Sequence, residues 1–178
     1  MSAPPRDPNV DVAALRRLDA AAIDAAYDAW APRIFAFLRR LGASAEVAEE
    51  LVQETFVRLV NHAPTLREDT RLGAWCLTVA RNLYRSHRRW AWLDGTRLLE
   101  LAAPPRPPGP AELTAATELQ LRYERALATL PEAQREVLLL VVGEGLEPQE
   151  AAAVLGLNAE ATRQRLARAR RALEEALR

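Results

Sequence analysis

Between Ala102 and Pro110 the chain reads Ala-Ala-Pro-Pro-Arg-Pro-Pro-Gly-Pro, five prolines in nine residues. Proline fixes its own φ and has no amide hydrogen, so this stretch can be neither helix interior nor central strand. It reads as an extended tether, and it divides the 178 residues into two small bodies, each with a modest core. The division assigns 1–20 to a flexible tail and helix start, 21–95 to a first helical domain, 96–117 to the Pro-rich linker and 118–178 to a second helical domain.

Both bodies carry helical spacing. Ile34, Phe37, Leu38 and Leu41 repeat at three and four residues, and Gly42 marks a stop. Val47, Leu51, Val52, Thr55, Phe56, Leu59 and Val60 form a second one-sided stripe, with Ser44 placed to cap it and Glu46 in its first turn. The segment from Asn61 to Arg71, which holds Pro64, is expected to be a loop. A third stripe follows through Leu72, Trp75, Cys76, Val79, Ala80 and Leu83. In the second body Pro131 is expected at a first helical position, and Val137 to Val142 supply an apolar run that Gly143 and Gly145 break. Pro148 opens a short helix that Gly156 ends, and a last helix starts near Ala159. No alternating strand pattern is present, and the expected fold class is all-α.

Pro148 to Leu166 has the layout of a helix-turn-helix. Ala152 is small where two helices must cross, Gly156 sits where a left-handed turn is cheap, and Leu155, Leu157 and Leu166 point inward. The second helix of the pair carries Arg163, Arg165, Arg168, Arg170 and Arg171 without an acid among them. At about 100° per residue these five spread over more than one side, so not all can face one groove.

The formal net charge is zero, which excludes a uniformly basic coat for nucleic acid, and every one of the 24 cations is arginine. Position therefore matters more than number. The stripe that includes Leu51 carries Glu46, Glu49, Glu50 and Glu54 against the single cation Arg58, an acidic face suited to a basic protein partner. The next helix carries Arg81, Arg85 and Arg88 along one side with Arg89 adjacent, and Tyr84, Trp90 and Trp92 nearby. Arginine interleaved with aromatic rings suits single-stranded or melting nucleic acid, with guanidinium on the backbone and rings on the bases. Trp75 lies on the apolar stripe and reads as core.

These segments resemble a known family. Ala48-Glu-Glu50 followed by Leu51-Val-Gln-Glu-Thr-Phe56, and Ala74-Trp-Cys-Leu-Thr-Val-Ala-Arg-Asn-Leu83, are similar to the first domain of extracytoplasmic-function (ECF) sigma factors of the sigma-70 family. Leu130-Pro-Glu-Ala-Gln-Arg-Glu-Val137, Leu155-Gly-Leu157 and Arg165-Leu-Ala-Arg-Ala-Arg-Arg-Ala-Leu173 resemble the second domain of that family. The resemblance implies a promoter-specificity subunit that binds bacterial core RNA polymerase and directs initiation at one promoter class. It implies that Glu50, Leu51, Gln53, Glu54 and Phe56 dock on core polymerase. Asn61 to Gly73, with Arg81, Asn82, Arg85, Arg88 and Arg89, would recognise and open the minus-ten element. Asn158, Glu160, Arg163, Gln164 and Arg168 would read the minus-35 element. No appended regulatory domain is expected after the last helix, so control is expected from a separate anti-sigma factor, and the free chain is expected to be a monomer.

A stand-alone helix-turn-helix transcriptional regulator would explain the second body but not the first or the tether. An enzyme is not expected: His62 and His87 are too few and too far apart for a site, and neither a phosphate-cradling Gly loop nor zinc-ligand spacing is present. No cofactor and no metal are expected. Cys76 is the only cysteine, so no disulfide framework exists, and a buried inert thiol is the expectation. Met1 to Asp11 lacks an apolar signal core, and no run approaches the roughly 18 apolar residues of a membrane span. A cytoplasmic protein without membrane insertion is the expectation.

Overall fold

The computed structural model describes residues 10–94 and 118–178; the tail up to residue 9 and the Pro-rich stretch expected as a linker lie outside the described residues. In the first block a short helix, α1 (Val12–Arg16), leads into α2 (Ala20–Leu41), α3 (Ala45–His62) and α4 (Leu72–Asp94). Each of the first three starts on a short polar side chain. Asp11, Asp19 and Ser44 accept the backbone N–H three residues on, at 3.0, 3.0 and 3.2 Å, which satisfies one of the open donors of the first turn. Gly42 ends α2 at φ 115°, and its N–H returns to the carbonyls of Leu38 and Arg39.

The predicted helix over Ile34 to Leu41 is the C-terminal part of α2, which runs on through Pro32. The predicted loop begins later than expected. α3 continues to His62, a 3-10 turn covers Ala63–Thr65, and only the residues from Leu66 to Arg71 are irregular.

The second block contains α5 (Glu118–Thr129), α6 (Glu132–Leu138), α7 (Pro148–Leu155) and α8 (Ala159–Leu177). Pro131, expected at a first helical position, is instead the N-cap of α6. Its φ of −52° would fit either role, but a ψ of 141° leaves it extended. α6 runs on into a π-turn over Leu139–Gly143 before the chain reverses at Gly145 (φ 71°). The two glycines thus end this helix as expected, after one widened turn.

Each stripe finds its core. Trp30, Ile34, Phe37 and Leu38 of α2 meet Leu51, Val52, Phe56 and Leu59 of α3 and Cys76, Leu77, Ala80 and Leu83 of α4. In the second block Leu127, Leu130, Val137, Leu138 and Leu140 pack with Val154, Leu155, Leu166 and Ala169. The two cores are continuous: α4 lies against α7, and α2 against α5 and α6.

Candidate nucleic-acid interface

α8 is built as a surface helix with one anchored side. Thr162, Leu166 and Ala169 are buried against α6 and α7, and Glu160, Arg163, Gln164, Arg168, Arg170 and Arg171 are exposed. Arg165 is half-buried, so the basic run does divide between two sides. Asn158 caps the helix, its Oδ1 accepting the Ala161 N–H at 2.7 Å. Glu160 then orders its neighbours. Its carboxylate accepts from Arg163 Nη2 at 2.7 Å and from Gln164 Nε2 at 3.0 Å. Those two hydrogen bonds hold the Glu160 carboxyl below its ordinary range. All five residues expected to read the minus-35 element are therefore exposed, spread from the cap to the middle of α8.

Two devices set α8 against α7. Gly156 ends α7 at φ 68°, ψ 36°, and a Cβ added there would meet nothing within 4 Å. The glycine is needed for the left-handed backbone and not for space. At the other end of α7, Glu147 and Glu150 form a capping box, with the Glu147 N–H donating to Glu150 Oε2 at 2.9 Å.

The basic side of α4 is split. Asn82, Arg85 and Arg89 are exposed, as are Trp90 and Trp92, each 66% accessible. Arg81 is not: it is 5% accessible and forms a fork-to-fork pair with Glu136 of α6, Nε to Oε1 at 2.9 Å and Nη2 to Oε2 at 3.1 Å. Its Nη1 donates to the Val154 carbonyl of α7 at 3.4 Å. Arg88, over the Tyr84 ring at 5.8 Å, pairs with Glu132 at the start of α6. The Tyr84 hydroxyl donates to the Leu41 carbonyl at 3.2 Å, and burial raises its pKa. The five residues expected to bind minus-ten DNA thus fall into an exposed group of three and a pair turned onto the second block.

On α3, Glu50 and Gln53 are exposed, and Glu54 is half-buried beside Arg58, its Oε1 accepting from Arg58 Nε at 2.9 Å. Leu51 and Phe56 turn inward, 5% and 7% accessible, so they support the acidic face without presenting themselves on it. The apolar atoms displayed beside that face belong instead to Val57 and to Tyr27, whose ring packs against Phe56 with centroids 4.8 Å apart and planes tilted by 56°. Neither residue was singled out by the sequence. Val57 falls at spacing three and four from Glu54 and Gln53, which is the signal that could have found it.

Arg135 and Glu136 were also missed. Both are buried, and Arg135 donates to the carbonyls of Leu127, Ala128, Leu130 and Leu41 at 2.8–3.2 Å. The readable signal was two adjacent opposite charges directly ahead of the apolar run at Val137. Nearby, Arg33 Nε lies 2.8 Å from Glu144 Oε2. Burial raises the Glu144 carboxyl above its ordinary range, with the Arg33 charge acting against the rise. Among the described residues no group of three or more His, Cys, Asp or Glu is placed to hold a metal ion, and no helix is long and apolar enough to cross a membrane.

Comparison with known proteins gives the same two blocks. The sigma-70 region 2 family matches residues 26–93, and the sigma-70 region 4 family matches residues 120–173. The chain is 33% identical over 151 residues to the ECF RNA polymerase sigma factor EcfG of Rhodopseudomonas palustris, covering 82% of this chain and 80% of that protein. It is 32% identical over 157 residues to the ECF RNA polymerase sigma factor SigL of Mycobacterium tuberculosis, covering 87% and 88%. Among solved structures it resembles the sigma factor RpoE of Bartonella quintana, crystallised with the anti-sigma factor NepR. The TM-score is 0.71 at 26% identity, over 83% of this chain and 91% of that one.

Proposed function

The chain belongs to the ECF group of sigma-70 factors, the promoter-specificity subunits of bacterial RNA polymerase, and we propose a division of that work among three surfaces. The acidic face of α3, with Glu50, Gln53 and Glu54 edged by Val57 and Tyr27, docks on core polymerase; Leu51 and Phe56 hold it in shape from below. The exposed side of α4, with Asn82, Arg85, Arg89 and the two tryptophans, takes the melted minus-ten strand, joined by Arg81 and Arg88 when these are free. The exposed end of α8 enters the major groove of the minus-35 element. There Arg163 has the forked donors, and Gln164 the paired donor and acceptor, that base edges require, and Arg168 and Arg170 meet phosphates.

The observation that carries this reading is the separation of sign. One chain of zero net charge displays an acidic face on α3 and a basic face on α8. We assign the protein no catalysis. We place it in the cytoplasm as a monomer when free, under the control of an anti-sigma factor, as the Bartonella relative was crystallised with one.

Two charge-altered forms test the division. Core polymerase is incubated with each form and resolved by gel filtration, and the reconstituted holoenzymes are then used to retain genomic promoter fragments. Glu50→Arg/Glu54→Arg is expected to abolish co-migration with core polymerase. Arg163→Ala/Gln164→Ala is expected to co-migrate normally but to lose about 1–3 kcal/mol of promoter affinity for each base contact removed. If both forms fail at the same step, the surfaces are not separate and the division is wrong.

A further inference from the structure

α8 carries one acid among its arginines. From Asn158 to Leu173 the chain has Arg163, Arg165, Arg168, Arg170 and Arg171 and a single carboxylate, Glu160. An acid facing the phosphates weakens binding at every sequence alike, so affinity for DNA is not what this one contributes. Nor is it spent on the backbone. Glu150, in the first turn of α7, takes the backbone N–H of Glu147. In α8 the capping is done by Asn158, and both oxygens of Glu160 go to side chains. Oε2 accepts from Arg163 Nη2 at 2.7 Å and from Arg163 Nε at 3.3 Å, and Oε1 accepts from Gln164 Nε2 at 3.0 Å.

These bonds leave free the groups that base edges need. With Nε and one Nη2 proton of Arg163 on Glu160, the Nη1 protons and the other Nη2 proton remain. They form the end-on fork that fits O6 and N7 of guanine. Gln164 keeps one amide proton and its Oε1, the donor and acceptor that N7 and N6 of adenine require. A carboxylate only accepts, so it also decides which end of the Gln164 amide is the nitrogen. An amide free to turn over can donate to guanine as well, and an arginine left loose can turn to a phosphate, which carries no sequence.

We infer that Glu160 is a positioning residue that sets base specificity at the minus-35 element: it aims the Arg163 fork at guanine and fixes the Gln164 amide for adenine. The inference rests on the reading of α8 as the minus-35 surface. Glu160 itself touches no base. It acts through its two neighbours, lowering affinity for DNA at large while sharpening discrimination.

The test uses holoenzyme reconstituted from core polymerase and the full chain. The probe is a promoter fragment retained by the parent holoenzyme, with every base pair of its minus-35 element randomised. Sequencing of the bound fraction reads base preference pair by pair. Arg163→Ala and Gln164→Ala first mark the base pairs that those two side chains read. Glu160→Gln removes the charge at nearly constant size. It is expected to lower preference at the marked pairs by about tenfold, the discrimination of one bidentate contact, and to leave the others unchanged. In an Arg163→Ala/Gln164→Ala background the same change is expected to add nothing at those pairs. Glu174→Gln makes the same change of net charge at an exposed position of α8 and is expected to leave every preference as in the parent. An even loss across the element, with a lower melting temperature, would make Glu160 a stabiliser of the helix start and overturn the inference. An unchanged profile would overturn it too. So would loss at a further base pair that persists in the doubly substituted background, since Glu160 would then read a base itself. If Arg163→Ala and Gln164→Ala mark no base pair, the reading of α8 falls and the inference with it.

Discussion

Gly73 stands in the first turn of α4 where the Trp30 indole takes the room of a side chain. A Cβ there would lie 2.0 Å from Cη2, 2.3 Å from Cζ2 and 2.8 Å from Cζ3 of that ring. The indole cannot easily retreat, because it is buried and the Arg33 guanidinium lies over it at 4.2 Å. Arg33 in turn holds Glu144 of the second block. In an exposed helix, Gly→Ala would gain about 1 kcal/mol of helix preference. Here overpacking opposes it, and Gly73→Ala is expected to destabilise the protein by about 1–3 kcal/mol. Urea unfolding checks this: the midpoint should fall with the slope unchanged. A stability equal to or above that of the parent would mean that the ring has room to move. One sequence could not show this contact. Gly73 reads there as the end of a polar loop, and which ring covers a glycine is decided by how α2 and α4 cross.

At the scale of the helix, the N-cap of α8 separates folding from recognition. Asn158 caps by accepting the Ala161 N–H, and it is itself one of the five residues expected to read the minus-35 element. Asn158→Ala loses the acceptor and is expected to cost about 1 kcal/mol of stability. Asn158→Asp keeps an acceptor of the same reach and adds a negative charge at the helix N-terminus, which the helix dipole favours. Its melting temperature should match the parent, while its affinity for duplex promoter DNA falls because a carboxylate now faces phosphates. If Asn158→Asp binds DNA as well as the parent does, this end of α8 does not approach the duplex. Elements of this kind were the most legible part of the chain. Helical spacing, the cap at Ser44 and the glycine stops at 42 and 156 are local rules, and the sequence states them directly. Pro131 went wrong because its fixed φ suits both a cap and a first turn, and ψ, which separates the two, is set by how α5 and α6 pack.

At the scale of the whole molecule, residue type could be read but direction could not. Arg81, Arg85 and Arg88 share a side of α4 by periodicity, yet that side turns partly onto α6 and α7, a choice made by the docking of two blocks distant in sequence. That docking has a thermodynamic signature. The apolar core runs through both blocks, and Arg135 of the second block donates to the Leu41 carbonyl that ends α2. Two bodies that share a core and a buried ion pair unfold together, so calorimetry of the parent is expected to show one transition with equal calorimetric and van't Hoff enthalpies. Arg81→Ala leaves Glu136 buried without its partner, a loss on the order of 3–5 kcal/mol. That loss falls on the contact between the blocks and not on the core of either. The expected result is two transitions. Arg81→Met/Glu136→Leu replaces the pair with apolar side chains, and such exchanges are neutral or stabilising by roughly 1–4 kcal/mol. It should restore the single transition although the charges are gone. Two transitions in the parent would mean that the contact is no part of the folding unit. One transition in Arg81→Ala would mean that the shared apolar core couples the blocks without the pair.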